Sequence, residues 1–360
     1  MKQIKIRAKD NYDFGYQYGQ QISGEIKPII NLIKKFSRDK LGIFSFVLPL
    51  VLTFWATFKN RIGKDFLEVI DGMAEGSGVN KIWLYFLNSV YDFGALFNGV
   101  FRFLGCSAFV YPQKDGEHVI IGKTTDIIQV DYFTKELIKS RLYLNYRIGD
   151  SNLVETVTFA GQIVSDFAIL NRSIFVGFND GGLETKKNYP TNSLIQSVLF
   201  ELFKKEKTFE AAVDYLLKAR PIHPFIALVS DGTVAHTASI DMVPSGSFIT
   251  EMDGRLIVTN FLLSEANRNR YYVKNWRTDK DYTSPVKRFE RLNSSPEKYL
   301  DIDKAKKLLS SREQDADIYK GSVNNRATSD AVVWDPKTKK FFIPEGDCFP
   351  LLDTRKWLEF

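Results

Sequence analysis

The chain has 360 residues, 44% of them apolar, with 49 basic and 43 acidic side chains for a net charge of +6. That balance is ordinary for a globular protein and leaves room for a large core. Two cysteines and three histidines offer neither a disulfide framework nor a metal-ligand cluster of usual spacing, and no basic run or nucleic-acid motif accompanies the positive charge.

The N-terminal stretch MKQIKIRAKDNYDFGYQYG is polar and has no apolar signal core, which favours a cytoplasmic or membrane-associated location in a reducing compartment. Ile26, Ile29, Ile30 and Ile33 recur at helical spacing, so residues 11–40 read as a helix. Residues 41–58, LGIFSFVLPLVLTFWATF, carry no charge and are flanked by Arg38, Lys40, Lys59 and Arg61. Pro49 interrupts them and the length only just reaches that of a span, so a buried pair of short helices leads; the basic flanks keep a membrane-surface contact open. KDFLEVIDGMAEG and KIWLYFLNSVYDF read as further helices, making the first hundred residues mostly helical.

The texture changes at FLGCSAFVYPQKDGEHVIIGKTTDI, residues 103–127. SAFVY and HVIIG are short β-rich runs around a Lys114-Asp115-Gly116 turn. LVETVTFA, SIFVGF, FIALVS, VAHTASI, RLIVTNF, SDAVVWDP and KKFFIP continue the strand pattern, with helical NSLIQSVLFELFKKE, FEAAVDYLLKA and DKAKKLLSS between them. Strands in runs with helices set between them predict an α+β body of stacked sheets covered by helices.

GFNDGGLE has neither the lysine nor the spacing of a phosphate-binding loop, and no cofactor is expected. Attention falls on Cys106, directly after Gly105. One reading is a small buried cysteine at a strand start. Another is a cysteine hydrolase using His223 or His236 as base, although Cys106 would then normally open a helix. A third is a cut between Gly105 and Cys106, which gives Cys106 both a thiol and a free α-amine. Such an amine titrates at about 7.7–8.0, close to what a general base needs.

The pattern Gly-Cys-Ser-x-Phe, then Asp-Gly, then Gly-Lys-Thr-Thr-Asp resembles the N-terminal nucleophile hydrolases. More narrowly it resembles the branch of the acyl-CoA:6-aminopenicillanate acyltransferases, choloylglycine hydrolases and acid-ceramidase-like amidases. FGYQYGQQISGEI and FLEVIDGMAEGSGV resemble the propeptide of the acyltransferase branch. GFNDGGLE resembles its Gly-x-Asn-x-x-Gly-Leu turn, VTNF its asparagine strand, and SPVKRFERL its serine-to-arginine helix.

The resemblance implies a four-layer αββα sandwich of two stacked antiparallel sheets, with residues 1–105 becoming a separate but associated chain and 106–360 the catalytic one. It implies Cys106 as the nucleophile, Asp126 as the carboxylate that fixes the new amino group, and Asn260 as an oxyanion donor. It places Arg288 near the nucleophile, with Arg291 as the alternative, and a second oxyanion donor in the backbone near Asn188; Asn179 is expected to shape the turn. Lys123 stands where much of the family has arginine, keeping the charge but losing the planar fork. The activity implied is amide hydrolysis or acyl transfer through a thioester, with a lipid-like N-acyl amide as the expected substrate and acyl-CoA a substrate if transfer occurs. A bile-salt-type or penicillin-type acylase is the near alternative. A non-catalytic membrane-associated binding protein is the alternative from another class.

Overall fold

The computed structural model describes residues 1–42, 47, 50–51, 53–54, 61–89, 92, 104–127, 137–181, 192–271, 280–313, 315–317, 320–346, 348 and 355–360. The uncharged segment 41–58 lies largely outside the described residues, and no helix among them is long and apolar enough to cross a membrane.

The N-terminal part supplies β1 (Lys2–Ala8), α1 (Asn11–Leu41), α2 (Lys64–Ser77) and α3 (Lys81–Leu87). Asp10 caps α1 by accepting from Asp13 N–H at 2.8 Å. Glycines set how closely α1 and α2 approach. A Cβ on Gly15 or Gly19 would fall 2.0 Å from Val69 O or 2.5 Å from Met73 O, and one on Gly72 or Gly76 would fall 2.1 Å from Tyr12 O or 2.2 Å from Tyr16 O. The two helices therefore interlock backbone against backbone, which side chains at these positions would prevent.

Two sheets follow. The larger has the order β1-β4-β5-β6-β7-β8-β9-β10, with β4 (Arg141–Ile148), β5 (Val154–Phe159), β6 (Phe167–Leu170), β7 (Ile174–Asp180), β8 (Phe225–Ser230), β9 (Thr237–Val243) and β10 (Gly246–Glu251). The smaller has the order β11-β2-β3-β12-β13-β14, with β2 (Leu104–Pro112), β3 (Val119–Ile127), β11 (Leu256–Val258), β12 (Thr328–Asp335), β13 (Lys340–Pro344) and β14 (Trp357–Glu359). The remaining helices are α4 (Ile195–Lys205), α5 (Phe209–Lys218), α6 (Glu265–Tyr271), α7 (Lys280–Asn293) and α8 (Ile302–Leu309).

Alternation along the strands builds the layers. On β2, Ala108 and Val110 join Phe167, Phe175, Ile226 and Trp334 in the core between the sheets. Phe109 and Tyr111 point the other way, onto Leu292 of α7 and Leu309 of α8. The outer face of the larger sheet packs on α1 to α5 through residues such as Ile6, Phe14, Ile22, Val69 and Leu199. The result is helix, sheet, sheet, helix, the expected αββα arrangement. One detail differs: β1 pairs with β4 in parallel, so the larger sheet is mixed. Its short KQIKIRA run carries a cation at every second or third position and was not legible as a strand.

Candidate active site

The β2–β3 ladder fixes where the chemistry sits. Gly105 lies opposite Asp126, Cys106 opposite Thr125, and Ala108 opposite Lys123. Opposed residues share a face, so Cys106, Thr125 and Lys123 look into the space between the sheets, while Asp126 and Ser107 look toward α7 and α8. Gly122 of the Gly-Lys-Thr-Thr-Asp run is needed for packing, because a Cβ there would meet the Phe109 ring at 2.2 Å.

Arg288 reaches in from α7 and is 1% exposed. Its Nη1 donates to the carbonyl of Cys106 at 2.6 Å and to Ser107 Oγ at 2.7 Å, and its Nη2 donates to Asn260 Oδ1 at 2.8 Å. Thr259 Oγ1 donates to the Pro285 carbonyl at 3.0 Å and ties α7 to the strand end that carries Asn260. Asn260 Oδ1 also accepts the backbone N–H of Cys106 at 2.6 Å, and its Nδ2 donates to Asp180 O at 3.1 Å. Two donors on one oxygen and an acceptor at the nitrogen leave no ambiguity in the orientation of the amide.

Asp126 is fully buried, and its Oδ1 accepts from Thr328 Oγ1 at 2.8 Å. Its Oδ2 has no hydrogen-bond partner, with Arg288 Nη1 at 3.9 Å. Burial pushes this carboxyl up to about 6, against the pull of Arg288, Thr328, Asn325 and Lys123. Lys123 lies on the other face, 1% exposed, donating to Asn179 Oδ1 at 2.9 Å and paired with Asp166 at 3.1 Å. Burial works against its charge, but Asp166 and Cys106 outweigh burial and hold its pKa above the ordinary lysine value. The Cys106 thiol, 1% exposed, is pushed up to about 12 by burial; Lys123 opposes the rise, and Asp166 and Asp126 add to it. In the uncut chain this is a neutral, sheltered thiol.

Cys106, Lys123, Asp126, Asn260 and Arg288 thus come together in space. Arg291 does not: it donates to the Gly321 carbonyl at 2.8 Å and pairs with Glu313, away from Cys106. Asn188 lies outside the described residues. Asn179 sits within β7 and, besides holding Lys123, donates to the Val258 carbonyl at 3.2 Å, so it braces the site and is not only a turn residue.

Sequence reasoning passed over Asp166, whose carboxylate also accepts from Thr125 Oγ1, and Thr328. Both come from strand ends remote in sequence, and the only clue to Asp166 is that a buried lysine needs a counter-charge. The histidines stand apart. His118 and His236 pair with Asp115 and Asp231 near the surface. His223 is buried against Phe225, with neither ring nitrogen hydrogen-bonded and its pKa lowered by burial to about 3. Among the described residues no group of histidine, cysteine or acidic side chains is placed to hold a metal.

The helix–sheet–sheet–helix body, with Cys106 two residues into a strand of its inner layers, is the architecture implied by the N-terminal nucleophile resemblance. Among solved structures the chain is similar to the N-acylethanolamine-hydrolyzing acid amidase ortholog of Caenorhabditis elegans, at 15% identity over 64% of this chain and 93% of that one, with a TM-score of 0.47. It is also similar to two variants of the conjugated bile acid hydrolase from Clostridium perfringens, at 12% and 11% identity, each over 71% of this chain and 96% of that one, with TM-scores of 0.44. No family model matches the chain, and no curated protein matches it.

Proposed function

We propose that the chain cuts itself between Gly105 and Cys106 and then acts as an N-terminal cysteine amidohydrolase. The observation that carries this reading is the grip on the backbone on both sides of the Cys106 Cα. The nitrogen of Cys106 is bound by Asn260, its own carbonyl by Arg288, and the partnerless oxygen of a buried carboxylate belongs to the residue opposite Gly105. A merely structural cysteine has no use for that arrangement.

In self-cleavage the thiol sulfur adds to the Gly105 carbonyl carbon, and collapse expels the Cys106 nitrogen, leaving a thioester and an amine. Water then hydrolyses the thioester, releasing the Gly105 carboxylate and the free thiol. The new α-amine, with an ordinary pKa of about 7.7–8.0, takes the proton from sulfur in each later turnover. Asp126 Oδ2 receives an N–H of that amine. Once Asn260 no longer accepts from a backbone amide, its Nδ2 group and a backbone N–H near Asn188 stabilise the tetrahedral oxyanion. The amine product departs, and water resolves the acyl-enzyme; an acceptor amine in its place would make the reaction an acyl transfer. Lys123 holds its charge beside the sulfur, fixed by Asp166 and Asn179, and Arg288 positions Asn260.

The substrate favoured is a lipid-like N-acyl amide. Leu50, Val51 and Phe54 of the uncharged segment are more than half exposed, at 52%, 52% and 68%, and support contact with an apolar substrate or a membrane surface. Intact mass and a denaturing gel of the purified protein beside Cys106→Ala test the reading. Pieces of about 12 and 29 kDa, the 41.3 kDa chain divided after residue 105, with Cys106 at the new terminus, are expected for the wild type only. A wild-type chain that stays whole at neutral and mildly acidic pH rules the cleavage out.

A further inference from the structure

We infer that Arg141 is a positioning residue of this site: it clamps a bulge in β12 that turns the Thr328 hydroxyl onto Asp126. The inference rests on the N-terminal cysteine reading above and adds to it a residue that lies in none of the motifs behind that reading. The faces of β12 carry the argument. Val332 and Trp334 lie in the core between the sheets, while Ala331 and Val333 pack on the other side with Leu292 and Leu309. Thr328 has the parity of Val332 and Trp334, so a regular strand would point it between the sheets as well. It points the other way. Thr328 lies opposite Asp126 of β3, and Asp330, two residues on, lies opposite the adjacent Thr125. Ser329 is thus the extra residue of a β-bulge, and the side chains change face across it. The change brings two groups to the site. Thr328 Oγ1 accepts the Asn325 N–H at 3.0 Å, which leaves its own proton for Asp126 Oδ1 at 2.8 Å. Asp330 joins Cys106 and Thr125 in one row across β12, β3 and β2, facing the larger sheet.

A bulge buried between packed layers needs partners for the backbone it takes out of the ladder. Arg141 supplies them. It opens β4 of the larger sheet, is 5% exposed, and reaches across to the smaller sheet. Its Nη1 donates to the Ser329 carbonyl at 3.3 Å and pairs with Asp330 Oδ1 at 3.3 Å, and its Nη2 donates to the Pro344 carbonyl at the end of β13. Ser329 Oγ donates to the Thr125 carbonyl at 3.0 Å and fastens the bulge to β3. One planar guanidinium thereby holds the carbonyl of the bulged residue, the carboxylate that follows it and a neighbouring strand end. The single nitrogen of a lysine has no such fork. The line of contact runs from Arg141 through Ser329 to Thr328 and ends at Asp126, the carboxylate that is to receive the amino group of Cys106. Arg141 touches neither the thiol nor the amine, so its part is to aim a group that does.

A double-mutant cycle separates aiming from general support of the fold. Thr328→Val removes the hydroxyl, and Arg141→Lys keeps a charge beside Asp330 but removes the fork. Each is expected to lower kcat of the cut enzyme by about 10²-fold, the loss that follows when a reacting group is misplaced by roughly 1 Å. KM should change little, because Asp126 is to hold the amino group and not the substrate. The double variant should be no slower than the slower single one, since both changes act through the same hydroxyl. Intact mass gives the cut fraction of each variant, and far-UV circular dichroism reads its fold. Should Arg141→Lys misfold, Arg141→Met combined with Asp330→Asn takes its place, because it removes the ion pair without stranding a charge. Wild-type kcat in the Thr328 or the Arg141 variant overturns the inference. Losses that multiply in the double variant also overturn it, because that is the result for an arginine that only supports the fold. Either result leaves the N-terminal cysteine reading in place. A wild-type chain that stays whole overturns that reading and this inference with it.

Discussion

Asn260 Oδ1 lies 2.6 Å from the backbone nitrogen of Cys106, and the same oxygen is held from the other side by Arg288 Nη2 at 2.8 Å. The arginine therefore sets the direction of the asparagine amide, and the amide sets the peptide group before Cys106. Asn260→Ala is expected to remove an oxyanion donor and lower turnover by about 10²–10³-fold. It also loosens the peptide group, so fragments should appear more slowly. Rates of fragment appearance and steady-state turnover on the cut enzyme separate the two losses. Wild-type rates in both assays would place Asn260 outside the chemistry.

Thiol reactivity should change with cleavage. In the uncut chain Cys106 is 1% exposed with a pKa pushed up to about 12, and Cys348 is fully buried. Protein of the slow-cutting Asn260→Ala variant, taken before fragments form, should therefore show no fast thiol with an aromatic disulfide reagent at pH 8. The cut enzyme should show one, because the new terminus brings its own base. Equal reactivity before and after the cut would contradict the proposed activation.

Lys123 and Asp166 form a buried pair at 3.1 Å. Replacing lysine alone, as in Lys123→Met, strands a carboxylate and should cost about 3–5 kcal/mol of stability. The double variant with Asp166→Asn should recover much of this loss without restoring activity. Denaturant melts of the single and double variants measure the coupling, and additive losses would mean that the pair is not a unit.

Stability of the uncut chain should rise on acidification from pH 8 to pH 5. Asp92, Asp126 and Asp330 are pushed up by burial to about 8, 6 and 6, so the folded state binds more protons than the unfolded state across this window. His223, lowered to about 3, opposes the trend below its ordinary pKa, as one group against three. The melting temperature should be higher at pH 5 than at pH 8, and Asp126→Asn should flatten the profile. A profile that rises toward pH 8 would contradict this account.

Much of the architecture was legible because strands such as FIALVS and SDAVVWDP alternate between two buried faces, and helices such as FEAAVDYLLKA keep their period. β1, β10 and the short β14 carry too little apolar pattern to stand out, and β6, apolar but only four residues long, gives no period to read; pairing partners define them. At the site, Cys106, Asp126, Asn260 and Arg288 sit in short motifs with their own spacing. The counter-charge at Asp166 and the brace at Asn179 arise only when strand ends from distant parts of the chain meet, which no local pattern records.

β1 belongs to the segment that precedes Cys106, yet it lies inside a ladder with β4 from Lys2↔Leu142 to Ala8↔Ile148. A break after Gly105 would cut the covalent thread without freeing the earlier piece. The shorter fragment would remain as wall and roof of the longer one, its strand sealing β4 and its helices covering the apolar side of the sheet. A polypeptide started at Cys106 would lack that shelter from birth and expose β4 to any passing strand. Maturation by the proposed cut would let one molecule fold with its cover attached and then work with a terminus that synthesis alone could not safely provide.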